Sequence, residues 1–117
     1  MSNIVRHQSN SRLSRAVVHN GVVYLAGTTA DNCAASSKGQ TEEILGKIDA
    51  LLKLAGSDKS RLLSAVVYVA DMRVKPGMDE AWMKWIDPKN PPARATVETR
   101  LGTPETLVEI MVTAAVL

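Results

Sequence analysis

Two ionisable residues in the last third of the chain stand where chemistry is expected. Arg94 follows Pro91-Pro92-Ala93, at the mouth of an alternating segment that runs to Leu101. Glu109 lies between Val108 and Ile110 in an almost wholly apolar stretch, Leu107 to Leu117. A guanidinium on a rigid, proline-stopped approach suits a planar fork that grips a carboxylate through paired hydrogen bonds. A carboxylate in the middle of a hydrophobic strand costs stability unless something answers it. A structural ion pair between the two is the plain alternative to a shared ligand.

The elements that carry them read as two strands separated by Gly102-Thr103-Pro104-Glu105-Thr106, which predicts a C-terminal hairpin. If Leu101 pairs with Leu107, Arg94 faces Ala114 and Glu109 faces Thr99. The two are then five residues apart along the ladder, roughly 17 Å at strand rise. They also point to opposite faces. A shared site therefore needs either a bulge that flips the parity or a second subunit.

Other chemistries find little purchase. His7 and His19 sit in no nucleophile or metal-ligand spacing, and no nucleophile-elbow or glycine-rich phosphate motif is present. Cys33 lies in a small, polar loop with no cation nearby in sequence, so nothing there marks it as a reactive thiol. Trp82 and Trp85, three apart, suit helix packing better than ligand stacking.

Composition narrows the class. The 117 residues suit one domain, 1–117, and a chain of this size buries roughly 65% of its unfolded surface. Hydrophobic residues make up 45% with no Phe, so aliphatic side chains and Met must fill the core. Fourteen basic residues against twelve acidic leave +2, spread without a block. That balance does not supply the concentrated phosphate neutralisation nucleic acid requires. A single cysteine and a polar start, Met1 to His7, point to the cytoplasm. No apolar run is long enough for a membrane span.

Taken in order, residues 3–7 read as a short edge strand. Ala16–His19 and Val22–Ala26 flank Asn20-Gly21, a strong hairpin signal. Ser37-Lys38-Gly39-Gln40 has the form of a capping box, and Ile44, Ile48, Leu51, Leu52 and Ala55 define one helical face that Gly56 closes. Leu62–Ala70 is apolar on both faces, which suits a central strand. A second helix begins near Pro76 with Met78, Ala81, Trp82 and Trp85 inward, Asp79 and Glu80 complementing its dipole, and Pro88 beyond its end. The order β-β-β-α-β-α-β-β implies an α+β fold, a mixed sheet covered on one face by two helices. The uncovered face is also apolar, which predicts self-association.

These residues resemble the Rid (YjgF-type) family of enamine/imine deaminases over nearly the whole length. The likeness runs through Val22-Val23-Tyr24-Leu25-Ala26-Gly27, Gln40-Thr41, Ala55-Gly56, Val67-Tyr68-Val69-Ala70-Asp71, Pro92-Ala93-Arg94 and Val108-Glu109-Ile110. The resemblance implies a chorismate-mutase-like homotrimer with clefts between subunits. It implies that Arg94 grips the carboxylate of a 2-imino acid while Glu109 positions or activates water. Backbone near Gly27 and Thr96 would line the cleft. The implied reaction is hydrolysis of an enamine or imine, such as that from 2-aminoacrylate, to a 2-keto acid and ammonia, with no cofactor or metal. The chain departs from the archetype at four cleft positions: Leu13 replaces a tyrosine, Ala26 a serine, Thr96 a cysteine and Asp79 an asparagine. The added acid opposes an anionic substrate if it points into the cleft. The alternative implied by this altered rim is a non-catalytic trimer that binds small carboxylate metabolites and regulates a partner.

Overall fold

The computed structural model describes residues 3–117; Met1 and Ser2, the head of the polar start, lie outside the described residues. Strands β1 (Val5–Ser9), β2 (Ser14–His19) and β3 (Val22–Leu25) precede helix α1 (Ser37–Leu54). Then come β4 (Leu62–Val69), α2 (Lys75–Trp85), β5 (Ala93–Glu98) and β6 (Val108–Ala115). This is the expected element order. The first strand starts two residues later than the sequence suggested.

The β2–β3 hairpin turns on Asn20 and Gly21, with φ of 51° and 77°. Both central residues of a type I′ turn need this left-handed geometry, which Asn and Gly adopt at least cost. Helix α1 buries Ile44, Ile48, Leu51 and Leu52, and Gly56 (φ 85°) follows its end. Its cap is Ser36, whose hydroxyl accepts from Gly39 N–H at 3.1 Å, so the predicted capping box at Ser37 is one residue out. Gln40 consequently plays another part. It is fully buried; Nε2 donates to the carbonyls of Cys33, Ala35 and Glu105, and Oε1 accepts from Leu107 N–H. One side chain thus fastens the loop after β3 and the entry to β6 onto α1. Helix α2 carries Pro76 in its first turn and buries Met78, Ala81 and Trp82.

The six strands form one mixed sheet in the order β1-β2-β3-β6-β4-β5. The predicted C-terminal hairpin does not form. Strand β5 runs parallel to β4 at the sheet edge, and β6 lies antiparallel to both β3 and β4. The segment between β5 and β6 arches over the end of β4, with Thr99 N–H donating to Val69 O and Ala70 N–H to Leu107 O. The reason is burial. Strand β4 is apolar on both faces, and β6 buries Val108, Ile110, Val112 and Ala114, so both occupy the interior. The Ala-containing β5, largely exposed, takes the edge.

Both helices lie on the face that buries Val23, Val67, Val69, Ile110 and Val112. Alternation sends Tyr24, Val66, Tyr68 and Met111 to the other face. There Tyr24 is 48% exposed, Val97 42% and Met111 39%. The expectation of a second apolar face without a covering helix is therefore met. Among the described residues no helix is long and apolar enough to cross a membrane.

Candidate functional site

The residues singled out in the sequence fall into two groups on opposite faces of the sheet. In the first, Arg94 pairs with Ala65 and Thr96 with Val67 across the parallel β4–β5 ladder. Ala65 and Val67 face the helices, so Arg94 and Thr96 do too. Arg94 reaches α2, where Nη2 donates to Asp79 Oδ1 at 2.9 Å. Its guanidinium carbon stands 5.3 Å from the centre of a Trp82 ring, a cation–π contact that fixes the plane of the fork. Asp79 Oδ2 accepts from Lys75 Nζ at 2.5 Å. Partial burial pushes the Asp79 carboxyl upward, but hydrogen bonds from Lys75 and Arg94 outweigh it and hold the group below its ordinary 3.8. Thr96 Oγ1 is buried and makes no hydrogen bond with any described residue.

The second group gathers around Glu109. Strand β6 places it opposite Tyr68, on the helix-free face, while its neighbours Val108 and Ile110 are fully buried behind it. Its carboxylate lies over Gly27. A Cβ at position 27 would stand 3.0 Å from Glu109 Cδ and collide with Oε2, so glycine here is the condition for the carboxylate's position. The backbone is held around that contact. Thr28 N–H donates to Ile110 O at 2.9 Å and Ile110 N–H to Thr28 O at 3.1 Å, while Ala26 N–H donates to Arg15 O at 3.0 Å. Leu13, 41% exposed, lies two residues before Arg15. Leu13, Ala26, Gly27 and Glu109 thus belong to the β2–β3–β6 side of the molecule.

Arg94 and Glu109 do not meet within one chain. Arg94 lies two strands and three ladder positions from Glu109, through Ala65 and Val112. That is roughly 14 Å between Cα atoms. The hairpin register assumed from the sequence is wrong, yet its conclusion that the two face opposite ways holds, because β4 intervenes without changing parity. The plain alternative, an Arg94–Glu109 ion pair, is also absent: Arg94's partner is Asp79, and Glu109 has no ion pair among the described residues. Sequence reasoning missed Lys75 as a member of the first group. Its i,i+4 spacing from Asp79 was the available signal. The spacing of Trp82 suggests helix packing; in the structure it packs and also carries the guanidinium. His19 engages Asn20 and the Asn3 carbonyl beside its own turn.

This fold and these motifs match known proteins. Residues 4–116 match the family model described as Endoribonuclease L-PSP. A RutC family protein of Haemophilus ducreyi is 39% identical over 97% of both chains. One of Haemophilus influenzae is 40% identical over 95% of this chain and 97% of its own. The crystal structure of a YjgF-family protein from Neisseria meningitidis superposes with a TM-score of 0.96 at 38% identity, covering 98% of this chain and 96% of that one. The chain belongs to this family of YjgF-, RutC- and Rid-type proteins.

Proposed function

We propose that the chain hydrolyses small enamines or imines, 2-imino acids and their carboxyl derivatives being the substrate class, to the keto compound and ammonia. The reaction takes one water: water adds to the C=N carbon, and the carbinolamine expels ammonia. An imine is already a good electrophile, so orienting it beside a water supplies most of what catalysis needs. In this reading Arg94 binds the substrate's polar end and Glu109 positions or activates the water. Thr96, Asp79, Ala26, Leu13 and the Gly27 backbone line the cleft. The observation that carries the reading is the split itself. Two family-motif groups lie on opposite faces of one chain, and the face bearing Glu109 exposes Tyr24, Val97 and Met111. Self-association that sets the helix-free face of one copy against the β5 edge of the next would bring Glu109 of the first to Arg94 of the second, and a cyclic homotrimer is the assembly the family likeness favours. The chain would act in the cytoplasm, where reactive imines arise from dehydratase chemistry.

The test couples the purified protein to a pyridoxal-phosphate serine or threonine dehydratase and follows decay of the released imine. Acceleration that disappears in Arg94→Ala supports the reading. No acceleration across several amino-acid-derived imines, or full activity in Arg94→Ala, contradicts it.

A second reading, a trimeric module that binds small carboxylate metabolites without turnover, draws on the altered rim, where Leu13, Ala26 and Thr96 depart from the archetype. Calorimetric binding of 2-keto acids by a preparation shown to lack turnover would favour it. The RNA cleavage named in the family model's description has less support here, since the formal charge is only +2 and phosphate neutralisation is what drives RNA affinity.

A further inference from the structure

We propose that Asp79 shifts the ligand preference of Arg94 from an anionic carboxylate to a neutral carboxamide. This rests on the reading that Arg94 binds the ligand and deepens it by naming the ligand's chemical class.

The guanidinium is not an open fork. Nη2 is already given to Asp79 Oδ1 at 2.9 Å, and it is the one Arg94 nitrogen bonded to a described residue. Asp79 is in turn tethered from its other side by Lys75, one turn earlier on α2, so it has a second reason to stay. The Trp82 ring beneath the guanidinium opposes tilting of the fork away from Asp79. An arriving carboxylate would bond the remaining donors of Arg94 while standing beside a like charge that it cannot hydrogen-bond. It must tolerate that repulsion or push Asp79 wholly onto Lys75.

A primary carboxamide meets the same edge without conflict. Its carbonyl oxygen accepts from Arg94, and its NH₂ donates to a remaining lone pair of Asp79, since each carboxylate oxygen accepts more than one bond. The charges facing this point are Lys75, Arg94 and Asp79, which sum to +1. That sum favours an anion at a distance, but Lys75 is given to Asp79 Oδ2, so the Asp79 oxygen beside the fork sets the preference at hydrogen-bond range. Thr96 adds a hydroxyl on the same sheet face, two residues along β5, buried and without a partner among the described residues. A ligand end with both a donor and an acceptor can use it in either sense. The hydroxyl can donate to either ligand, so the preference for the carboxamide rests on the Asp79 contact alone.

The experiment measures binding of 2-oxobutanoate and 2-oxobutanamide, which share one skeleton, by calorimetry. The wild-type protein, Asp79→Asn, Lys75→Met and Arg94→Ala are compared. Wild type should bind the amide about tenfold more tightly than the acid, the size of one charged hydrogen bond. Asp79→Asn should improve binding of the acid about tenfold and erase or reverse the preference. Lys75→Met should keep the wild-type preference, because Asp79 remains on Arg94. An unchanged acid-to-amide ratio in Asp79→Asn overturns the proposal. So does loss of the preference in Lys75→Met, because removing a cation disfavours only the acid and Asp79 still bonds Arg94 there. Wild-type protein that prefers the acid, or binds neither ligand, also overturns it. Arg94→Ala separates the two levels: if it binds both ligands as wild type does, the site reading itself fails.

Discussion

The Arg94 and Glu109 regions solve the problem of a half-buried charge in opposite ways. Arg94 is satisfied within the chain by Asp79, with Trp82 against its guanidinium and Lys75 beyond. Glu109 has no ion pair among the described residues and is positioned by shape: buried neighbours behind, a glycine beneath, and a clamped backbone beside it. The first region is a charge network that can exchange partners. The second is a fixed mould. A ligand arriving between copies would therefore meet one adjustable wall and one rigid one, and changes made in evolution at Asp79 would retune binding without disturbing the carboxylate opposite.

Perturbing the mould should have the larger effect. Gln40→Ala removes four hydrogen bonds that tie Cys33, Ala35, Glu105 and Leu107 to α1. Leaving those buried groups unpaired should cost about 2–4 kcal/mol, read from the urea midpoint, and the damage should concentrate on the Glu109 side. Next, Gly27→Ala places a methyl where the carboxylate end of a flexible side chain now lies. The fold should survive with a small drop in Tm because Glu109 can swing away. Imine turnover should fall at least about tenfold, as expected for a mispositioned acid–base group. Wild-type turnover in Gly27→Ala would show that the mould does not matter.

The smallest effect belongs to the charge network. The folded pKa of Asp79 lies below its ordinary 3.8, so the stability it contributes is fully present above that value. It is lost as pH falls through the folded pKa, where the bonds from Lys75 and Arg94 weaken. Asp79→Asn should therefore lower neutral stability slightly and flatten this portion of the acid limb, so that variant and wild type converge at low pH. An unchanged acid limb would mean that the network adds nothing to the fold.

The sequence was informative wherever hydrophobic spacing decided the outcome. The stripe from Ile44 to Leu52, the Asn20-Gly21 turn and the both-sided apolarity of Leu62–Val69 all gave the observed elements. Connectivity between strands was less legible. A Gly/Thr/Pro loop between β5 and β6 looks like a hairpin turn, and only competition for the sheet interior reveals that β4 must lie between them. Arg94, Glu109 and Gly27 were identifiable from motif and context. The engagement of Asp79 with Arg94 was not, because it depends on how α2 packs across a strand edge, which no local spacing encodes. Gln40 was noticed for the wrong reason: a one-residue shift of the cap freed it to become a buried tie.

The central claim is that a working site joins Arg94 of one copy to Glu109 of another. Arg94→Ala and Glu109→Ala chains, each inactive alone, can be co-expressed and purified as mixed oligomers. Random assembly in a cyclic oligomer leaves about one site in four with both side chains intact, so about a quarter of wild-type imine hydrolysis should return. Mixed oligomers that remain as inactive as either parent would contradict a site shared between subunits.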